Sequence, residues 1–350
     1  MQSSGSIQAE WPKGGVEFVP ACPLCGANER TIAHNGLKDY FFECAPGQWS
    51  LFQCLSCGSA YLDPRPNQQT ISLAYSRYYT HRSYDVASGA LRRIWHALRD
   101  DYLLAAFGVP SEHTLWPGRW LVRMFAIGRS GIDAALARNL EHLPHPQARL
   151  LDVGCGNGNY LAFAHRAGWQ VQGLDFDPVA VAAARERGLD VFEGTIKVLS
   201  GESECFDRIT LSHILEHVYD PWDVLADCYR LLKPGGTLWL ETPNANSNGH
   251  KAFGPYWRGL EPPRHLHIFS RKCIRDKMAE IGFSEIQDCF SSFATGAMWR
   301  ESRGIVAKAG GAKHFRHSWA GQVMAEIRAL FSPGSREFIT LVCVKPNEKK

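Results

Sequence analysis

Three glycines at alternate positions, Gly154, Gly156 and Gly158, join the apolar run Leu150–Val153 to the helical pattern of Leu161, Ala162, Phe163 and Ala164. Glycine is needed where backbone must turn sharply or come closer to a ligand than a Cβ allows. At the carboxyl end of the first strand of an open α/β sheet, such a turn binds a nucleotide. A second strand, Val171–Asp175, ends in a carboxylate 17 residues after Gly158. A carboxylate there accepts hydrogen bonds from ribose hydroxyls. Asp177 then reads as a helix N-cap, with Pro178 in the first helical position. The spacing is GxGxG, not the GxGxxG that seats a pyrophosphate, which argues for a nucleoside ligand without a diphosphate.

With these residues the chain resembles the class I S-adenosylmethionine-dependent methyltransferases. Phe206–Val218 matches their fourth strand and following loop, and Leu231–Leu240 their helix end, turn and fifth strand. The resemblance covers about residues 148 to 292, with a last strand at Glu337 to Val344. On the motifs alone, a NAD-binding domain or a merely structural α/β domain is the competing reading. The resemblance implies an α/β fold: a Rossmann-like seven-stranded sheet with helices on both faces. It also implies that Asp152 and the backbone of Gly154, Gly156 and Gly158 hold the methionine and ribose side of S-adenosylmethionine. Asp175 would hold the ribose hydroxyls, and Phe176, Gly194, Thr195 and Ile196 would flank the adenine.

At the other end, Cys22–Cys25 and Cys54–Cys57 form two CxxC knuckles, each followed by glycine (Gly26, Gly58). Four thiolates in two such turns are a tetrahedral zinc set. A closed set of four sulfurs makes the zinc structural, with no open catalytic position. A redox pair or disulfides are the alternative, and the lack of a secretory signal among the 11 cysteines' context speaks for a reducing compartment. The expected location is the cytoplasm. A net charge of +3 is too small to imply nucleic acid, and no apolar run reaches the length of a membrane span.

Four parts follow along the chain: a leader (1–20), the zinc module (21–66), a helical cap segment (67–147) and the methyltransferase domain (148–350) with an insertion near 295–333. In the cap segment, Leu91, Ile94, Trp95, Leu98, Tyr102 and Leu103 share one helical face, and Trp116, Trp120, Phe125 and Ile127 form a second apolar stretch. Arg92, Arg93, Arg99, Arg119 and Arg123 are interleaved with them. Such a stripe either packs over the active-site mouth or lies on a membrane surface and meets a lipid-linked acceptor.

Methyl transfer from a sulfonium requires alignment of the nucleophile and, for a hydroxyl, a base to take its proton. The sequence offers His213, Glu216 and His217 after the fourth strand, and a loop from Phe253 to Phe269 rich in Pro, His, aromatics and Arg. His265 is the leading candidate base, with His267 and His217 behind it, since histidine titrates near neutral pH. A structural role is the alternative for each. Arg258 and Arg264 either bind an anionic acceptor or clamp the loop through Glu261. Glu216 and His217 also suggest a divalent metal, but as a pair they lack a third donor. Ser270 and Gly282 read as the N-cap and stop of the next helix.

The expected function is methyl transfer to a small-molecule or glycan-precursor acceptor, at oxygen. The catalytic domain resembles small-molecule O-methyltransferases of the ubiquinone-pathway type. Zinc knuckles ahead of such a domain also resemble bacterial sugar C-methyltransferases and ribosomal RNA methyltransferases. The zinc module has few lysines and arginines for phosphate contacts, which disfavours RNA. A cofactor-binding scaffold without chemistry is the non-enzymatic alternative, against which the intact glycine loop and Asp175 speak.

Overall fold

The computed structural model describes residues 10–76, 90–124, 129, 132–133, 136–290, 294–310 and 319–347. Phe125 and Ile127 of the apolar stripe lie outside the described residues, as do the side chains of Leu91 and Arg92.

The N-terminal part holds strands β1 (Val16–Glu17), β2 (Arg30–Leu37), β3 (Trp49–Cys54), β4 (Ala60–Leu62) and β5 (Arg65–Pro66). Strands β2, β3 and β4 form an antiparallel meander that carries the cysteine knuckles at its ends. β5 pairs back on β1.

The large sheet comprises β6 (Arg149–Val153), β7 (Gln170–Asp175), β8 (Val191–Glu193), β9 (Phe206–Ser212) and β10 (Leu232–Pro243). After β11 (His267–Ile268) come its last two strands, β12 (Ser284–Asp288) and β13 (Phe338–Val344). The order is β12-β13-β10-β9-β6-β7-β8, seven strands in which β13 runs antiparallel to both neighbours. This is the expected Rossmann-like α/β architecture. The direction of progression reverses between β6 and β9, so a crevice opens at the carboxyl ends of these two strands.

Local chemistry sets the helices that flank this crevice. Asp177 accepts a hydrogen bond from the Val179 amide, and Pro178 starts the helix Pro178–Glu186. Ser270 accepts from the Cys273 amide to start the helix Arg271–Ile281, and Gly282 ends it at φ 116°. Both boundaries fall where the sequence places them.

The four sequence segments share cores. Cys22, Leu24, Cys54 and Tyr61 of the cysteine module are packed in one buried cluster with Leu151, Leu211, Phe269 and Ile274 of the large sheet and its helices. β11, from the loop after β10, completes the module's sheet by pairing with β4 through His267–Tyr61 and Ile268–Ala60. The helix Ala90–Phe107 buries Tyr102 and Leu103 against Tyr160 and Leu161 of the helix Asn159–Arg166. The apolar stripe of the cap segment is therefore divided: that end is core, whereas Ile94, Trp95, Trp116 and Trp120 are 48%, 49%, 72% and 60% exposed. In the insertion, the helices Ala294–Lys308 and Trp319–Phe331 pack Met298, Trp299 and Ala325 against Phe253 and Trp257.

Candidate active site

The glycine turn is stitched to the next strand. Gly154 and Cys155 donate their amides to the Leu174 carbonyl at 2.7 and 3.0 Å. Gly154 sits at φ 74°, and a Cβ there would fall 1.9 Å from Cδ1 of Ile214, so only glycine fits. Asp175 accepts from the Gly156 amide at 2.7 Å with one oxygen and from the Asp177 amide at 2.9 Å with the other. Each carboxylate oxygen keeps a lone pair for a hydroxyl donor. Phe176 is 60% exposed beside it, and Thr195 is exposed at the end of β8, whose Gly194 amide donates to the Asp175 carbonyl at 2.8 Å.

Asp152 is fully buried. Its Oδ1 accepts from Thr210 Oγ1 at 2.7 Å and from Arg138 Nη1, while Oδ2 has no partner among the described residues. Burial pushes the carboxyl up, against the pull of the Arg138 guanidinium and the Thr210 hydroxyl. An unpartnered carboxylate oxygen next to the glycine turn suits an ammonium donor such as the methionine end of the nucleoside. Arg138, stacked 4.2 Å from the centre of the Tyr160 ring, was not among the residues the sequence suggested. No motif marks it, because it precedes the first strand in an irregular turn at φ 45°.

Across the crevice lies a second group of titratable side chains. His213 at the end of β9 contacts Glu216 through Nδ1 at 3.0 Å and Glu241 through Nε2 at 3.5 Å. Burial opposes its charge, but the Glu216 and Glu241 carboxylates outweigh it and raise His213 to about 10. Glu216 is fully buried, where desolvation would raise it, yet His213 holds it at about 2. Thr242 Oγ1 donates to its other oxygen at 2.9 Å.

The loop after β10 brings His265 to this group. The rings of His217 and His265 meet edge-on, with centres 4.6 Å apart. Nδ1 of His265 donates to the Gly259 carbonyl at 2.8 Å. Nδ1 of His217 lies 3.2 Å from the Arg264 carbonyl and 3.0 Å from the Tyr75 hydroxyl. Burial lowers both imidazoles, His265 to about 4, so each is neutral at pH 7. His267 is placed apart from them: its Nε2 lies 3.1 Å from the Val218 carbonyl, and burial lowers it to about 3.

Tyr75 links the two halves of the crevice. Its ring stands edge-on to Phe176 at 5.6 Å, and its hydroxyl touches His217. Arg258 and Arg264 take the clamping role, because both pair with Glu261. Arg264 also reaches Asp39 of the cysteine module.

The four sulfurs of Cys22, Cys25, Cys54 and Cys57 lie within 4.8 Å of one another. Cys22–Cys57 is 3.8 Å and Cys25–Cys54 is 3.5 Å. Tetrahedral zinc with sulfurs at about 2.3 Å needs edges of about 3.8 Å. The amides of Gly26 and Gly58, at φ 75° and 74°, donate to the Cys22 and Cys54 carbonyls and close each knuckle. The donor set therefore fits a structural zinc.

Residues 124–287, just under half of the chain, match the family model described as a methyltransferase domain. Over 108 residues the chain is 41% identical to a ubiquinone biosynthesis O-methyltransferase of Hahella chejuensis, covering 29% of this chain and 45% of that one. The same-named protein of Cereibacter sphaeroides is 34% identical over 147 residues, covering 40% of this chain and 60% of that one. The chain thus spans about half the length of the curated relatives it matches. A crystal structure of a SAM-dependent methyltransferase from Archaeoglobus fulgidus aligns at a TM-score of 0.42 and 17% identity, covering 65% of this chain and 99% of that one.

Proposed function

Taking as premise that this chain carries a class I S-adenosylmethionine-dependent methyltransferase domain, we propose that it transfers a methyl group to a hydroxyl of a small-molecule or glycan-precursor acceptor. The observation that carries this reading is the pairing of two sites across one crevice. Asp175, Phe176 and the glycine turn form a nucleoside cradle, and Tyr75 connects it to Glu216, His217 and His265. S-adenosylmethionine, bound with its ribose on Asp175 and its adenine near Phe176 and Thr195, supplies an activated methyl group. The protein aligns an acceptor oxygen with the methyl carbon and accommodates its proton among neutral imidazoles, with His265 foremost. Assignment to oxygen is supported by the name of the curated relatives.

A small acceptor is favoured over RNA by the cysteine module's charges. Arg30 and Arg65 are paired with Asp63 and Glu17, so two of its cations are already neutralised. The four cysteines are assigned a structural zinc and the protein a cytoplasmic location. Turnover of S-adenosylmethionine against a panel of phenolic and sugar hydroxyls tests the reading. A hydroxyl acceptor should turn over with loss of rate in His265→Ala, and exclusive methylation of RNA would refute it.

A second reading concerns delivery of the acceptor. Ile94, Trp95, Trp116, Trp120 and Met124 are exposed beside the exposed Arg93 and Arg123. Tryptophans and arginines together suit an anionic bilayer surface carrying a lipid-borne acceptor. Flotation with vesicles containing phosphatidylserine should carry the protein upward at low salt, and an absence of flotation rules this delivery out.

A further inference from the structure

We propose that a cavity between the cap helix Ala90–Phe107 and the helix Asn159–Arg166 binds a small aromatic carboxylate, apart from the methyl-transfer crevice. The cavity measures about 340 Å³, which lies within the range of small-molecule sites. Neither Asp175 nor Phe176 lines it, nor does any of Tyr75, His217 and His265. Occupancy of this cavity is therefore independent of which acceptor is methylated.

The wall is unevenly charged. Arg99, Arg138 and Arg166 reach it from three different parts of the chain, against a single carboxylate, Asp100, among the described residues. Asp100 is already satisfied. Its Oδ1 accepts from Nε and Nη2 of Arg99 at 3.0 and 2.7 Å, and its Oδ2 from the Ser111 hydroxyl at 2.9 Å. Arg138 spends its charge on Asp152, which is not part of the wall. Arg166 donates to the Pro110 carbonyl and meets no carboxylate among the described residues. One positive charge is thus left over, on a guanidinium whose remaining N–H donors form a fork that suits a carboxylate.

Much of the remaining wall is apolar. Phe163 and Arg166 are three residues apart on one face of their helix, which sets an aromatic ring beside the uncompensated guanidinium. Leu103 and Val109 add aliphatic surface from the cap helix and the turn after it. The Tyr160 ring also lines the cavity, and the Arg138 guanidinium lies 4.2 Å from its centre. An aromatic body against this surface, with its carboxylate at Arg166, matches both parts of the wall. An uncharged ring would leave the Arg166 charge unanswered, and a bare inorganic anion would leave the apolar part uncovered.

Saturation-transfer NMR titration of the full-length protein with benzoate tests this, with benzamide as the uncharged control. Wild type should bind benzoate, and more tightly than benzamide. Arg166 is exposed, so Arg166→Gln should fold, and it should weaken benzoate at least ~10-fold, the scale of a lost charge-assisted hydrogen bond. Saturating S-adenosylhomocysteine should leave benzoate bound, and its own affinity should be unchanged in Arg166→Gln. No benzoate binding by wild type, equal binding of benzamide, or unchanged benzoate binding in the variant overturns the site. Displacement of benzoate by S-adenosylhomocysteine also overturns it, because the cavity would then belong to the nucleoside cradle.

Discussion

Arg264 and Asp39, 225 residues apart, form a two-armed buried ion pair: Nη2 to Oδ1 at 2.7 Å and Nη1 to Oδ2 at 3.0 Å. Both side chains are shielded from water. The pair ties the residue next to His265 to the cysteine module, and the Phe42, Cys44 and Ala45 amides also donate to Asp39 at 3.1 Å each. Removing one partner of a buried pair leaves an uncompensated charge, at a cost of about 3–5 kcal/mol. Asp39→Ala should lose about that much in denaturant unfolding. Turnover should fall with it, whereas S-adenosylhomocysteine affinity, set across the crevice, should hold.

The glycine turn gives a separate handle. Gly154→Ala puts a Cβ into Ile214 at a left-handed φ of 74°, where an L-residue costs about 1–2 kcal/mol before any clash. We expect stability to drop by about 2 kcal/mol and S-adenosylhomocysteine affinity by at least ~10-fold, read by thermal unfolding and calorimetry.

Glu337 predicts a pH dependence. It accepts from Trp257 Nε1 at 2.9 Å, Trp299 Nε1 at 3.2 Å and the Gly249 amide at 2.8 Å. Burial nevertheless pushes its carboxyl up from 4.5 to about 7. The folded chain keeps a proton that the unfolded chain has already released. Its contribution is therefore most favourable below pH 4.5 and declines as pH rises to about 7, by about 3 kcal/mol. Unfolding free energies of Glu337→Gln should lack this decline between pH 4.5 and 7, so the gap between wild type and variant should change across that window and stay constant above it.

The cysteine module shares its core with the large sheet, so metal loss should be felt throughout. Ser270, the cap of the helix Arg271–Ile281, donates to the Cys57 carbonyl at 2.6 Å, and Trp222 donates to the Leu24 carbonyl at 2.9 Å. Cys54→Ser should abolish the sulfur-to-cobalt charge-transfer band of the cobalt-substituted protein. Its melting temperature should fall by at least ~5 °C, since a few kcal/mol shifts a chain of this size by that much.

What the sequence revealed was local. The glycine turn, Asp175, the Asp177 and Ser270 caps and the CxxC knuckles each depend on residues within a few positions, and each motif sits in its expected structural context. What it hid was long-range. Nothing near Asp39 announces Arg264, nothing near Tyr75 announces Phe176, and Arg138 meets Asp152 from an irregular turn. His265 and His267 lie in one loop, and the sequence ranks the first ahead of the second without showing where either points. They separate because His267 is held in β11 against β4 with its Nε2 at the Val218 carbonyl, whereas His265 lies before that strand, where its ring meets His217. The stripe in the cap segment read as one face; among the described residues its Tyr102–Leu103 end is buried with Tyr160 and Leu161, whereas Ile94 and Trp95 are exposed.

The central claim is a nucleoside site built on Asp175 and the glycine turn. Calorimetric titration of the full chain with S-adenosylhomocysteine tests it most directly, beside Asp175→Ala. Hydrogen bonds to a charged carboxylate contribute about 1.5–3 kcal/mol, so the variant should bind about 10- to 100-fold more weakly than a saturable wild type. A folded wild type that takes up no S-adenosylhomocysteine, or a variant that binds it equally well, would contradict the account.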